Sequence, residues 1–186
     1  AWTLHVLRQR QEVEIVGLLT TINEVHDRVA MHAVRVALLQ AQAEAVGLPL
    51  WTVPIPSPCS NQQYETAMRM AIERALADGV AVMAFGDIFL EEVRQYQETQ
   101  LAGTDLSPLF PIWGLSRTLL AREMVSAGLR ARITCVDPKQ IPASFVGREF
   151  DDALLADLPA SADPCGERGE FHTFAYAGPM FRHPVP

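Results

Sequence analysis

The sequence is nearly without lysine: Lys139 is the only one among 15 Lys and Arg residues. The 22 Asp and Glu residues outnumber them, leaving a formal net charge of -7. Gripping nucleic acid without regard to sequence takes clustered Lys and Arg that displace counterions. Nucleic acid is therefore not an expected partner, although a local basic patch is still able to hold phosphate. Arginine, with its planar fork, suits bidentate carboxylate or phosphate binding. Cysteine is scarce as well. Cys59, Cys135 and Cys165 are odd in number and widely spaced, and no CxxC pair exists. That argues against a disulfide framework and makes a reducing cytoplasm the natural compartment. No apolar run reaches the roughly 20 residues that span a bilayer, so no membrane partner is expected. Structural zinc sites bring Cys or His in close pairs. Cys165 and His172 lie seven apart and His183 lies further on, so no metal ligands are assigned. No cysteine has an evident His partner in sequence, which disfavours a cysteine nucleophile.

What remains is a globular composition, 49% hydrophobic and 20% charged over 186 residues, enough for one domain with a sizeable core. "AWTLHVLRQRQ" reads as a helix leading into a strand over Glu12 to Ile22. Val34, Leu38, Ala41 and Ala45 recur at helical spacing between Ala30 and Val46, and Gly47 ends that helix. Leu48 to Ile55 reads as a strand, followed by a loop that Pro54, Pro56 and Pro58 keep extended. Ser60 and Gln63 form a capping-box signature opening a helix that Gly79 stops. "VAVMAF", Val80 to Phe85, is an apolar strand of the kind buried on both faces of a parallel sheet. A helix from Gly86 and Asp87 to about Leu101, a short strand and turn over Ser107 to Gly114, a helix over Ser116 to Ala127 and a strand over Leu129 to Val136 follow. Asp151 to Leu158 reads as a short helix. Strands alternating with helices imply βαβ units and a parallel sheet covered on both faces.

Ligands of such sheets gather at the carboxyl ends of the strands. Those ends hold Thr20 to Asn23, Pro56 to Ser60, Gly86 and Asp87, Trp113 and Gly114, and Asp137. Asp87 suits an N-cap and equally a carboxylate at the sheet's active edge. Trp113 suits stacking on a base or substrate and equally core packing. Arg148 suits bidentate phosphate binding, or an ion pair with Asp151 or Glu149. The stretch "DPCGERGEFHTF", Asp163 to Phe174, sets Glu167, Glu170, His172 and Thr173 around Gly166 and Gly169. Two carboxylates three apart suit an ammonium, an amide or Mg²⁺-bound water, and His172 suits a proton shuttle near neutral pH. A solvated turn into an edge strand "FHTFAY" is the plain alternative.

"AMHAVR", "LPLWTVPIPSPCSNQQYE", "FGDIFLEEVRQYQE", "FPIWG", "CVDPK", "SFVGREFD" and "DPCGERGEFHTF" together resemble the diphthine–ammonia ligase family. It is a bacterial-type member of the PP-loop ATP pyrophosphatase group that these stretches resemble. The likeness covers nearly the whole chain. It implies the Rossmann-like adenine nucleotide alpha hydrolase (HUP) fold, with a five-stranded parallel sheet, helices on both faces and a small C-terminal subregion. It also implies that the first strand and the nucleotide-binding PP-loop stand just ahead of Ala1. Residues 1–136 would then form the nucleotide-binding core and 137–186 the substrate side. The resemblance further implies cleavage of ATP to AMP and pyrophosphate, with Mg²⁺ on the phosphates, through an acyl-adenylate that ammonia attacks. Thr20, Asn23, Met31 and His32 would meet the nucleotide. Asp87, Glu167, Glu170, His172 and Thr173 would work on the acceptor, with Trp113, Gly114 and Arg148 binding it. The acceptor is a small-molecule or protein carboxylate, and a homodimer is compatible with this reading. Alternatives are a non-catalytic ATP- or AMP-binding module, which has no use for the acidic loop, and a tRNA-modifying enzyme, which the acidic balance disfavours.

Overall fold

The computed structural model describes residues 1–30, 32 and 34–186. Met31, assigned above to the nucleotide, lies outside the described residues.

Helix α1 (Trp2–Arg10) buries Trp2, Leu4 and Leu7 on one side. Only the second half of the expected first strand pairs, as β1 (Leu18–Asn23). Glu12, Glu14 and Val16 ahead of it stay exposed. The chain then turns back as β2 (Arg28–Val29), antiparallel to Ile22 and Asn23. Two paired residues leave no alternation to read, so this hairpin is silent in the sequence. Helix α2 (Val36–Val46) accordingly starts later than Ala30, and ends as expected on Gly47 in left-handed backbone at φ 70°. Strand β3 (Leu50–Ile55) runs parallel to β1, from Leu18 opposite Leu50 to Asn23 opposite Ile55.

Helix α3 (Asn61–Ala77) opens on the anticipated capping box. Gln63 N–H donates to Ser60 Oγ at 3.3 Å, and Ser60 N–H donates to Gln63 Oε1 at 2.9 Å. Such a cap stabilises a helix by about 1 kcal/mol. Strand β4 (Val82–Ala84) is shorter than the apolar run suggested, and its residues are half-buried or exposed rather than buried on both faces. Helix α4 (Glu91–Leu101) takes Leu90 as its N-cap, with no side-chain cap bond. The expected cap, Asp87, sits earlier, in the connecting loop. Strand β5 (Ser107–Leu109) pairs in parallel with β4. Helix α5 (Arg117–Ser126) buries Leu120 and Ala121.

Strand β6 (Arg130–Val136) alternates, with Ala131 and Ile133 buried between exposed Arg130, Arg132 and Thr134. Helix α6 (Asp152–Asp157) is capped by Asp151, whose Oδ1 accepts from Leu154 N–H at 2.8 Å. Strand β7 (Phe171–Ala177) lies antiparallel to β6, with Val136 opposite Phe171.

The result is a mixed α/β protein. Its described strands form three pieces, β2-β1-β3, β4-β5 and β6-β7, and not one continuous five-stranded parallel sheet. Parallel pairing holds within β1–β3 and β4–β5. The β4–β5 ladder is only three residue pairs long, and β6 turns instead to an antiparallel neighbour. The boundary expected at residue 136 falls inside the β6–β7 unit. There Ile133, Ile141, Phe150, Leu154 and Phe171 share one core. A second core joins Trp2 and Leu4 to Ile88, Leu120 and Met180, so the first and last segments pack together. Among the described residues no helix is long and apolar enough to cross a membrane.

Candidate active site

The loop after β4 is held on every side. A Cβ on Gly86 would stand 2.9 Å from Thr3 Oγ1, so this loop runs against the first turn of α1. Asp87 is half-buried, and its Oδ2 accepts from Gln97 Nε2 at 2.9 Å. Gln97 Oε1 is buried and has no partner among the described residues. Gly114 N–H donates to Ile88 O at 2.8 Å. The Ile88 N–H lies close enough to the Glu167 carboxyl, from the C-terminal loop, to favour its charged form.

That loop is closed by two buried carboxylates. Asp163 is 3% exposed and Glu170 is 1% exposed. Asp163 Oδ1 accepts from Cys165 N–H at 2.8 Å, while its Oδ2 is ion-paired with Arg117 Nη1. Glu170 Oε1 accepts from Asp163 N–H at 2.8 Å and its Oε2 from Arg168 N–H at 3.0 Å. Gly166 stands at φ 72°, and a Cβ there would come within 2.7 Å of Phe171 O, so only glycine fits this turn. The Arg117 and Arg168 guanidinium groups lie 4.1 and 5.6 Å from the Phe89 ring. Phe89 belongs to the same loop as Asp87, so the C-terminal loop docks directly on it.

Burial here drives the electrostatics. The Glu167 carboxyl is pushed up to about 7, by burial first and then by the charges of Asp87 and Asp163. The Ile88 N–H and Arg117 only partly oppose this. Burial, with Asp163 and Glu167 nearby, pushes the Cys165 thiol to about 12. The thiolate is the reactive form, so Cys165 is expected to be the last of the three cysteines labelled by iodoacetamide at pH 8. Mass spectrometry of partly labelled protein checks the order, and early labelling of Cys165 would contradict this placement of the loop.

Two histidines also meet. The His172 ring lies 4.6 Å from that of His32, edge to face at 76°. Burial first, and then the charge of His172, lower the pKa of His32. The start of α1 lies within electrostatic reach of His32.

Thus the structure brings together Asp87 with Glu167, and His32 with His172. It separates other residues expected at the site. Glu170 points inward and is saturated by backbone N–H groups. Thr173 pairs with buried Ile133 and, by strand alternation, faces away from the side that His172 takes. Arg148 is engaged by Asp157 at 2.8 Å and by the Phe145 ring at 4.7 Å, rather than by Asp151 or Glu149 as the plain alternative expects. Thr20 is half-buried opposite Thr52. Asn23 Oδ1 accepts from Val25 N–H at 3.0 Å and His26 N–H at 3.3 Å, which shapes the β1–β2 turn. Trp113 packs against Phe110, and Gly114 takes left-handed backbone at φ 74°. Gln97, Arg117 and Asp163 were missed. Asp163 stands at the head of the glycine-bounded stretch, but its partner Arg117 is 46 residues away. Gln97 reaches Asp87 from a helix whose register alone gives no sign of it. Among the described residues no group of three or more His, Cys, Asp or Glu is arranged to hold a metal ion.

These features define a mixed α/β protein with paired acids and paired histidines around one helix start and one strand end. Comparison with known proteins gives the family. The Diphthamide synthase N-terminal domain matches residues 2–101 and the Diphthamide synthase C-terminal domain matches residues 116–185. The chain belongs to the diphthamide synthase family. It is similar to diphthine–ammonia ligase of Bos taurus and of Homo sapiens, 26% identical over 161 residues in each case, covering 77% of this chain and 59% of the relative. It is 29% identical to diphthine–ammonia ligase of Danio rerio, covering 77% of this chain and 62% of the relative. The chain thus spans about three-fifths of the length of these curated relatives.

Proposed function

We propose that this chain supplies the adenosine wall and the acceptor side of an ATP-dependent amide-forming ligase related to diphthine–ammonia ligase. The observation that carries the reading is the docking of the Glu167 loop on the Asp87 loop, which itself runs against the first turn of α1, with His32 in ring contact with His172 near that helix start. A helix N-terminus with unbonded N–H groups suits phosphate. α1 has no side-chain cap there, and His32 and His172 add donors. In this reading a strand and PP-loop ahead of Ala1 sit beside β1 and β4, completing a five-stranded parallel sheet of the HUP type. On the edge away from β3, β2 pairs only with Ile22 and Asn23 and leaves Leu18 to Thr20 without a described strand partner, and β4 has one described partner; both support that arrangement. β6, β7 and the loop between them form the acceptor side.

The chemistry balances as follows. The acceptor carboxylate attacks the α-phosphorus, pyrophosphate leaves, and an acyl-adenylate forms. Ammonia attacks the acyl carbon, AMP departs, and one proton is released. Asp87 and Glu167 attract and orient the ammonium, and ionised Glu167 takes the proton from the attacking nitrogen. The acid pair is therefore Asp87 with Glu167, and Glu170 fixes the loop that presents it. Mg²⁺ would supply charge neutralisation on the phosphates. The three free cysteines support a reducing, cytoplasmic setting.

The test uses protein that carries the segment ahead of Ala1, with ATP, Mg²⁺, ammonium and a panel of carboxylic acids. AMP and pyrophosphate are expected in equal amounts, only when an acid is present. ADP as product, or ATP binding with no turnover for any acid, would overturn the ligase reading, the latter in favour of a binding module.

A further inference from the structure

The carboxyl ends of β4 and β5 carry a second feature that the reaction above leaves unused. Phe85 directly follows β4 and Phe110 directly follows β5, and their rings stack at 5.3 Å with 22° between planes. Trp113 meets Phe110 edge-on at 6.0 Å. The Arg94 guanidinium from α4 lies 4.8 Å from both the Phe110 and the Trp113 centroids. Its Nε donates to Glu98 Oε1 at 2.8 Å. Its two Nη groups have no hydrogen-bonding partner among the described residues, and the side chain is 34% exposed.

Two rings and one carboxylate thus hold a planar, permanently charged fork in place with its outer edge open. A guanidinium fixed in this way meets a carboxylate bidentately with little further ordering. The guanidinium groups of Arg117 and Arg148, by contrast, are both taken by aspartates. Position matters as much as availability. Arg94 and Gln97 are three apart on α4 and so are neighbours on one face, with about 5–6 Å between Cβ atoms. Gln97 is the residue that grips Asp87. Arg94 therefore neighbours the residue that grips one member of the acid pair, at the end of the strands where ligands of parallel sheets bind. A cation already covers both rings, so the same aromatic surface rejects a cationic ligand.

We propose that Arg94 reads a second carboxylate on the acceptor, so that the acceptor is a dicarboxylate-type molecule: one end is amidated beside Asp87 and Glu167, and the other is held by Arg94. The acceptor role rests on the ligase reading, whereas carboxylate binding at Arg94 is measurable without it. Three probes of matched length isolate the claim: glutarate, butyrate and 4-trimethylammoniobutyrate. All three share one carboxylate end and differ only at the far end, which bears a second carboxylate in glutarate, no charge in butyrate and a trimethylammonium in the third. The readout is the Trp113 indole N–H signal in ¹⁵N-labelled protein, assigned by its loss in Trp113→Phe. Glutarate is expected to shift this signal at concentrations at least tenfold below the other two. Arg94→Gln keeps a planar group between the rings without the charge, and is expected to raise the glutarate concentration needed at least tenfold. Arg94→Lys, charged but not planar, should fall between the two. Equal responses to the three probes, or unchanged glutarate binding in Arg94→Gln, would overturn the proposal. If glutarate binds through Arg94 but no acid yields AMP, the ligase reading fails and the carboxylate subsite stands.

Discussion

Glu167→Gln is expected to leave nucleotide binding intact, to slow amide formation by about 10²–10⁴-fold, the usual range for a lost general base, and to raise stability above pH 7. Both effects have one origin. Folding moves the Glu167 carboxyl from its ordinary 4.5 to about 7, because burial and the charge of Asp87 disfavour ionisation. Between those two values the folded state binds more protons than the unfolded state, so stability falls as pH rises through that window. The loss is complete above about pH 7 and absent below 4.5. Discounting for its half-exposed setting leaves about 1–2 kcal/mol, or about 3–6 °C in Tm for a chain this long. The variant should therefore melt higher than wild type at pH 8 and equally at pH 4.5. Wild-type activity should rise through about pH 7, and that limb should vanish in the variant. Scanning calorimetry at the two pH values checks the stability half, and equal melting temperatures at pH 8 would contradict it.

Asp163→Ala is expected to destabilise the protein by about 3 kcal/mol, the low end of the range for removing one partner of a buried ion pair, because the Arg117 side chain left behind is 33% exposed. The carboxylate is almost fully buried and serves both Arg117 and the Cys165 amide. Without it the Glu170 clasp loses its neighbour and the loop over 163–170 opens. Urea denaturation gives the magnitude. Hydrogen exchange at the Cys165 and Arg168 amides gives the location, since both should lose protection ahead of the rest of the chain. Arg117→Ala should cost a similar amount, and the double variant much less than the sum, because the two changes remove one shared interaction. Additive losses would show that the pair does not hold the loop.

Local signals in this sequence were readable and long-range ones were not. Ser60 with Gln63, Gly47 after α2 and Asp151 before α6 each report a bond closed within a few residues, and the helices they bound were legible. So was the alternation of β6, where buried Ala131 and Ile133 face one core. The strand "VAVMAF" misled because an apolar run states a preference for burial without naming its neighbours. β4 has only three paired residues and one described partner. The two glutamates of "GERGE" illustrate the limit most directly. They are chemically identical and equally flanked by glycine, yet Glu170 precedes β7 and turns inward onto Asp163 and Arg168 amides, while Glu167 stays at the rim against Ile88. That choice is made by the docking of the loop on Phe89, 78 and more residues earlier in the chain. Resemblance supplied the stretch, and only three-dimensional packing sorted its members. The same holds for Arg94, whose aromatic brackets come from the ends of a different strand.

The most direct test of the account is the titration of the Glu167 side-chain carboxyl by ¹³C NMR, in wild type and in Asp87→Asn. The account predicts a wild-type midpoint near pH 7 and a lower midpoint in Asp87→Asn, still above the ordinary value because burial is the larger cause. A wild-type midpoint near 4.5, unmoved by Asp87→Asn, would place the C-terminal loop away from the Asp87 edge and contradict the site.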